Sequence, residues 1–183
     1  MNNIDKKILD LGCGNSKKEN ALGVDSNARV NPDVIHDLNV FPYPFKNDSF
    51  GEIYMDNSLE HLNEVIPVLE EVYRILKPGG FVKIIVPYFR SLWAFGDITH
   101  KNFFTVRSME MFDTNSSIAK KYDYTKARFI IEKIVFNENL KNRIIKKIIL
   151  KLANKWPLKY EVYFSHLYPL DDITYYLRKP INL

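Results

Sequence analysis

The sequence predicts an α/β fold with a mostly parallel sheet of about seven strands, flanked by helices and closed by an antiparallel pair. Three observations predict it. Short apolar runs alternate with segments of a different period, one strongly amphipathic helix joins two such runs, and all seven glycines fall in the first 96 of 183 residues, where loops at strand ends need them.

Residues 7–11 (KILDL) form an apolar run that stops at Gly12, and residues 21–25 (ALGVD) form another that ends on a carboxylate; both read as strands. Residues 33–38 (DVIHDL) predict a third, a proline-broken loop follows, and residues 51–55 (GEIYM) give a fourth. The period then changes. Leu62, Val65, Ile66, Leu69, Val72, Tyr73 and Leu76 recur at helical spacing, with Pro67 tolerable only in the first turn and Lys77-Pro78-Gly79-Gly80 as the stop. Residues 81–86 (FVKIIV) read as a buried strand ended by Pro87. Strands that alternate with crossovers imply parallel pairing.

Residues 88–113 are aromatic-rich and irregular, with a short helix over 108–112. Residues 128–136 and 173–178 predict two late strands that pair at a sheet edge and bring the total to seven. Between them Leu140, Ile144, Ile145, Ile148, Ile149 and Leu152 share one face of a basic amphipathic helix, a stripe expected to face the core beneath a solvated lysine face. Tyr88, Phe89, Trp93, Phe95, Phe103 and Phe104 suit either a core under a long loop or an acceptor pocket.

A chain of 183 residues and 21.5 kDa suits one domain, and 46% hydrophobic with 26% charged residues excludes disorder. Cys13 is the only cysteine, which excludes an intramolecular disulfide and cysteine-based zinc. The N-terminus lacks signal-peptide features and no apolar run approaches the ~20 residues of a membrane span, so the expected location is cytoplasmic. The net charge of +4 is uneven: residues 1–90 hold 10 Lys and Arg against 13 Asp and Glu, and residues 91–183 hold 16 against 9. Within a single domain spanning 1–183, this separates a cofactor half, 1–90, from a substrate or lid half, 91–183.

Asp10-Leu11-Gly12-Cys13-Gly14 follows the first strand, at the carboxyl edge where open α/β sheets bind ligands. Its two glycines let backbone N–H groups approach a ligand. A dinucleotide fingerprint needs a third glycine where Lys17 stands and a ribose acid ~20 residues on, whereas Asp25 comes only 11 after Gly14. Asp10 is a poor neighbour for a diphosphate and a good one for an ammonium or sulfonium. Asp25 can accept from both ribose hydroxyls; Asp37 can accept from an exocyclic adenine amine, with Leu38 covering the ring.

The ordered series I-L-D-L-G-C-G, G-V-D, D-L, P-F-K-N-D-S-F-G-E-I-Y, L-E-H-L and L-E-E-V-Y-R-I-L-K-P-G-G resembles the class I S-adenosylmethionine (SAM)-dependent methyltransferases over roughly residues 7–90. The resemblance implies a Rossmann-like fold, SAM as cofactor and S-adenosylhomocysteine as its product. It implies a cofactor-binding set of Asp10, Gly12, Cys13, Gly14, Asp25, Asp37, Leu38, Asn57 and Ser58, with Cys13 a small packing residue in the loop rather than a nucleophile. The short first crossover departs from the common pattern and resembles a subgroup of small methyltransferases. In the same way P-Y-F-R followed by G-D-I-T-H-K-N-F-F-T resembles a D-x-T-H insertion in that subgroup.

Methyl transfer to a hydroxyl needs a base, and His36, His61, His100 and His166 are the histidines available. His100 is the first choice because it shares with Asp97 and Thr99 an aromatic loop after the last cofactor-half strand; a structural hydrogen bond is its other reading. His61 starts the strong helix and either faces the methyl or caps the helix. His36 is expected to be structural, and His166 is left unassigned. No His/Asp/Glu set has a convincing ligand spacing, so no metal is expected. The leading acceptor is a small molecule. The +7 half and basic helix leave an RNA or protein acceptor as an alternative, although M-D-N-S after the fourth strand disfavours methylation of a planar ring amine. A SAM-binding scaffold without turnover is a third reading, and a nicotinamide oxidoreductase a distant fourth.

Overall fold

The computed structural model describes residues 7–137 and 144–181. Seven strands form one sheet: β1 (Ile8–Leu11), β2 (Leu22–Asp25), β3 (Val34–Ile35), β4 (Phe50–Asp56), β5 (Leu76–Pro87), β6 (Ile130–Asn137) and β7 (Asp172–Arg178). Their order is β3-β2-β1-β4-β5-β7-β6. The pairs among the first five are parallel, and β7 lies antiparallel between β5 and β6. The expected fold class, strand total and antiparallel closing pair are thus present. Leu9, Leu11, Val24, Ile53 and Met55 are fully buried, as expected of parallel strands covered on both faces.

Helix α1 (Val65–Ile75) packs Val68, Leu69, Val72 and Ile75 into the core, and Pro67 occupies its first turn, where no intrahelical N–H bond is lost. Burying each of these side chains is worth about 1.5–3 kcal/mol. The helix begins three residues later than the periodicity suggests, because residues 59–61 form a separate 3₁₀ turn and Leu62 is extended.

Several boundaries differ from expectation. The third strand shrinks from 33–38 to two residues, since at the sheet edge it finds a partner on one side only. Lys77-Pro78-Gly79-Gly80 does not precede β5 but lies within it. Phe50 pairs with Leu76 and Glu52 with Phe81, so the extra residues bulge out, and Gly79 takes φ 77° to turn the chain there. The short helix at 108–112 is a 3₁₀ turn at Glu110–Phe112.

The isoleucine stripe is corrected most. On helix α4 (Ile144–Lys155; α2 is Leu92–Gly96 and α3 is Ser117–Tyr122), Ile145, Ile148 and Leu152 are 70%, 55% and 50% exposed, while Ile149, Leu150 and Ala153 turn inward. Leu140 lies outside the described residues, as does the side chain of Ile144. The face is set by how α4 lies on the sheet: Asn154 binds the backbone of Phe136, accepting from its N–H at 2.6 Å and donating to its carbonyl at 3.1 Å. The aromatic insertion divides. Tyr88 and Phe104 are buried, whereas Trp93, Phe95 and Phe103 are exposed, the last two stacked at 4.4 Å.

Candidate functional site

The carboxyl ends of β1 and β4, neighbours in the sheet, open a cleft of 670 Å³ lined by Asp10, Gly12, Cys13, Gly14, Lys18, Asp56 and Asn57, among others. Its floor is the glycine loop. Gly12 (φ 73°) and Gly14 (φ 48°) hold the left-handed region that glycine adopts without strain. The backbone N–H groups of the loop are already committed. Gly12 and Cys13 donate to the Val24 carbonyl at 2.8 and 3.1 Å, and Gly14 donates to Asp25 Oδ2 at 2.9 Å. The glycines therefore contribute close approach to the cleft rather than free donors, which corrects the expectation from the sequence. A Cβ added at Gly14 would meet no atom within 4 Å, so the cleft comes right up to the backbone there.

Asp10 is 4% exposed and accepts from the Lys18 N–H at 2.7 Å. Burial holds its carboxyl above the usual range against that hydrogen bond, and the negative charge of Asp56 pushes the same way. Two acids at the ends of adjacent strands create a field that a cationic ligand relieves. Lys18 Nζ lies 4.3 Å above the Tyr54 ring.

Of the other expected cofactor residues, Ser58 is buried and donates to the Leu11 carbonyl at 3.0 Å, tying β4 to the glycine loop. Asn57 takes φ 47° and donates its N–H to the Ile85 carbonyl. Asp37 does not line the cleft; its Oδ1 accepts from the Asn39 N–H and side-chain amide at 2.9 Å each, closing a turn. Leu38 is packed in the core. His36, expected to be structural, bonds the Val40 carbonyl at 3.0 Å.

Cys13 is 6% exposed, and burial, then the charges of Asp10 and Asp25, push its thiol up to about 11. A thiol reagent at pH 8 should therefore label the native protein at least about a hundredfold more slowly than the urea-unfolded chain. Equal rates would show that the loop does not shield this side chain.

A second cleft of 380 Å³ adjoins the first through Asn57, which lines both. Its walls are Glu60, His61, Pro87, Trp93, Asp97, His100 and Asp172. It brings together the three expected catalytic residues, His61, Asp97 and His100. The two imidazole rings meet edge-on with centroids 4.7 Å apart.

Their tautomers follow from their partners. His100 Nδ1 lies 3.0 Å from the Ala94 carbonyl, which only accepts, so Nδ1 carries the proton. Thr99 Oγ1 donates to Asp97 Oδ1 at 2.6 Å, so it accepts from His61 Nδ1 at 3.0 Å. In both neutral rings Nε2 is left with its lone pair. The hydrogen bonds from the Thr99 hydroxyl and N–H hold the Asp97 carboxyl below its usual range.

The loop carrying His100 is fastened to the turn carrying His61. The Glu60 carbonyl accepts from the N–H groups of Lys101 and Asn102 at 2.8 and 3.1 Å, and Asn102 Nδ2 donates to the Leu62 carbonyl at 2.6 Å. Glu60 itself is 1% exposed, and burial pushes its carboxyl up to about 7. No other described residue donates a hydrogen bond to either of its carboxylate oxygens.

Sequence reasoning missed Asp56, Lys18 and Glu60. Asp56 carries the strand-end signal that singled out Asp10 and Asp25. Glu60 precedes His61, but its burial depends on a loop forty residues away in sequence. His166 lies apart, in a shallower cleft with Phe89, Arg90 and Phe95.

Residues 9–84 match the family model described as a methyltransferase domain. No curated protein matches the chain. Among solved structures, a SAM-dependent methyltransferase from Archaeoglobus fulgidus superposes with a TM-score of 0.62 at 18% identity, covering 94% of this chain and 85% of its own. A SAM-dependent methyltransferase from Mesorhizobium loti gives 0.57 at 16% identity, covering 94% and 90%. A phosphoethanolamine N-methyltransferase from Haemonchus contortus, solved in complex with SAM, gives 0.55 at 17% identity, covering 94% of this chain and 48% of its own.

Proposed function

We propose that the protein is a SAM-dependent methyltransferase, a reading supported by the domain matched over residues 9–84 and by the fold, and that its acceptor is a small molecule bound in the cleft of His61, Asp97 and His100. The observation that carries this reading is the junction of the two clefts at Asn57.

The residues present fit the cofactor. A cleft of 670 Å³ is of ligand size, its paired acids favour a cation, and Gly14 leaves its backbone face open. When bound, SAM supplies a sulfonium-activated methyl group for in-line displacement. Asp10 and Asp56 balance its positive charge, and Gly12, Cys13 and Gly14 form the floor against which it lies. Asp25, held by Gly14 and Asn27, keeps further lone pairs for ribose hydroxyls. Asp37, on a turn outside the cleft lining, and Leu38 would meet the adenine end, and Asn57, with Ser58 next to it in sequence, would border the passage between the clefts.

Because displacement at carbon needs no covalent enzyme intermediate, the chain acts chiefly by alignment, an effect worth roughly 7–11 kcal/mol in favourable cases. His100 Nε2 accepts the acceptor proton, while Asp97, through Thr99, orients His61 beside it. Residues 1–90 thus serve the cofactor and, through His61, share the acceptor cleft with Asp97 and His100 of residues 91–183 in a single domain. No helix among the described residues is long and apolar enough to cross a membrane.

Titration calorimetry with SAM and with S-adenosylhomocysteine tests the cofactor reading, with Asp25→Ala as the variant and NADH as competitor. Saturable binding of both, lost in Asp25→Ala and undisturbed by NADH, is expected. No binding after co-purified ligand is removed would overturn it. An RNA or protein acceptor is the second reading. It is favoured by α4, the following helix α5 (Pro157–Tyr163) and Trp156 between them, where the exposed Ile148, Trp156, Val162 and Tyr163 lie in sequence among Lys147, Lys151, Lys155 and Lys159. It predicts salt-sensitive polynucleotide binding.

A further inference from the structure

We infer that Glu60, His61 and His100 form a binding site for a first-row divalent metal ion. One carboxylate oxygen of Glu60 and one nitrogen of each imidazole lie within 4.8 Å of one another. Donor atoms around a shared ion with bonds of about 2.1 Å stand roughly 3 to 4 Å apart, so the three side chains need close by only a fraction of an ångström to a little over one. His100 is remote in sequence from the adjacent Glu60 and His61, and only the fold unites the three.

Two independent observations point to a cation. First, Glu60 is 1% exposed and lines the cleft, yet no other described residue donates a hydrogen bond to either of its carboxylate oxygens. An orphaned buried carboxylate is costly, and native proteins rarely keep one without a use. Second, both imidazoles are prepared as ligands. Each commits Nδ1–H to an oxygen, Ala94 O for His100 and Thr99 Oγ1 for His61, which leaves Nε2 as the donor atom of the neutral ring. That is the arrangement by which outer partners fix the tautomer and raise the basicity of metal-binding histidines. Asp97 Oδ2 lies 3.9 Å from His100 Nε2, and Asp97 orients His61 through Thr99.

Two imidazoles and one carboxylate are borderline donors. They select zinc, cobalt, manganese or iron over calcium or magnesium, and three protein ligands leave coordination positions open to the cleft. The occupancy of the site stands apart from the methyl-transfer reading, while the role of the ion rests on it. A divalent ion beside the acceptor would bind acceptor oxygens and lower the pKa of a hydroxyl, and the histidines would then act through the ion rather than as direct bases.

The test uses the full chain freed of metal by a chelator and titrated with Co²⁺ and with Zn²⁺. One equivalent is expected to bind, with Co²⁺ giving the visible absorption of a low-symmetry nitrogen and oxygen site. Glu60→Gln keeps the shape of the side chain and should weaken binding at least tenfold, as should His100→Gln. SAM binding by the same variants, measured alongside, reports that the fold is kept. Zinc should raise the melting temperature of the wild type and not that of Glu60→Gln.

Stoichiometric binding abolished in these variants, even with no methyl transfer detected, supports the site and counts against the acceptor reading alone. No binding by the wild type at millimolar metal, or equal binding by wild type and both variants, overturns the site and leaves the cofactor reading untouched.

Discussion

Gly12→Ala lowers the stability of the fold by about 2–5 kcal/mol and removes SAM binding with it. Two costs add. The residue holds φ 73°, where an L side chain is strained, and its Cβ would come inside 3.0 Å of the Ser58 Cβ, with Ser58 Oγ at 3.1 Å. Ser58 cannot yield, since it is buried and bonded to the Leu11 carbonyl. For a domain of this length the melting temperature should fall by roughly 5–15 °C, read by calorimetry or circular dichroism. Gly14→Ala is the informative contrast. Its Cβ meets nothing within 4 Å, so only the backbone cost of about 1–2 kcal/mol applies. Yet the new methyl stands where the cofactor must approach, so affinity should fall while the fold persists. Full SAM affinity in Gly14→Ala would refute the placement of the cofactor over this loop.

Glu71→Ala is expected to cost about 2–4 kcal/mol through a different structure. Glu71 receives a two-pronged donation from Arg74, Nε to Oε1 at 2.7 Å and Nη2 to Oε2 at 2.6 Å, and accepts the Tyr43 N–H at 2.6 Å. The same guanidinium donates to the Phe45 and Tyr43 carbonyls and to Asn47. The pair thus clamps the proline-broken loop onto α1, and removing Glu71 leaves a partly buried cation facing carbonyls alone. Burial alone would raise the Glu71 carboxyl, but the Arg74 and Tyr43 hydrogen bonds outweigh it and hold the group below 4.5. A depressed folded-state pKa contributes stability that is full above the unfolded value near 4.5 and is lost as pH falls through the folded value. The stability of the wild type should therefore drop in that acid window, and that part of the drop should be absent from Glu71→Ala. Arg74→Lys should recover only part of the loss of Arg74→Ala, because an ammonium cannot reproduce the fork.

What was legible in the sequence was local. A glycine loop directly after an apolar run, an acid ending the next run and a seven-position helical stripe each state their structure within fifteen residues, and β1, β2 and α1 follow them. What was not legible depends on contacts between remote segments. The direction in which α4 turns its isoleucines is decided by Asn154 meeting Phe136. The bulge at 77–80 is decided by the register of β5 against β4. The second cleft needed Lys101 and Asn102 to find the Glu60 carbonyl before its histidines stood together. Asp97, Thr99 and His100 were visible as a group, but Glu60, the buried carboxyl beside them, was not. Asp56 is the exception: it ends its strand as Asp25 does, a signal local to the sequence.

The insertion of β7 between β5 and β6 sets an order of events during synthesis. The strands β1 to β5 all pair with partners among themselves, so they can assemble as the chain leaves the ribosome, in the amino-first manner usual for nascent domains. Strand β6 emerges before β7, its one sheet partner among the described residues, exists, with its backbone donors and acceptors open to any other strand. For that interval the nascent chain has to be kept from pairing with its neighbours. Glu132 and Lys133 among the eight residues of β6, with the lysine-rich stretch that follows, supply charges that discourage it.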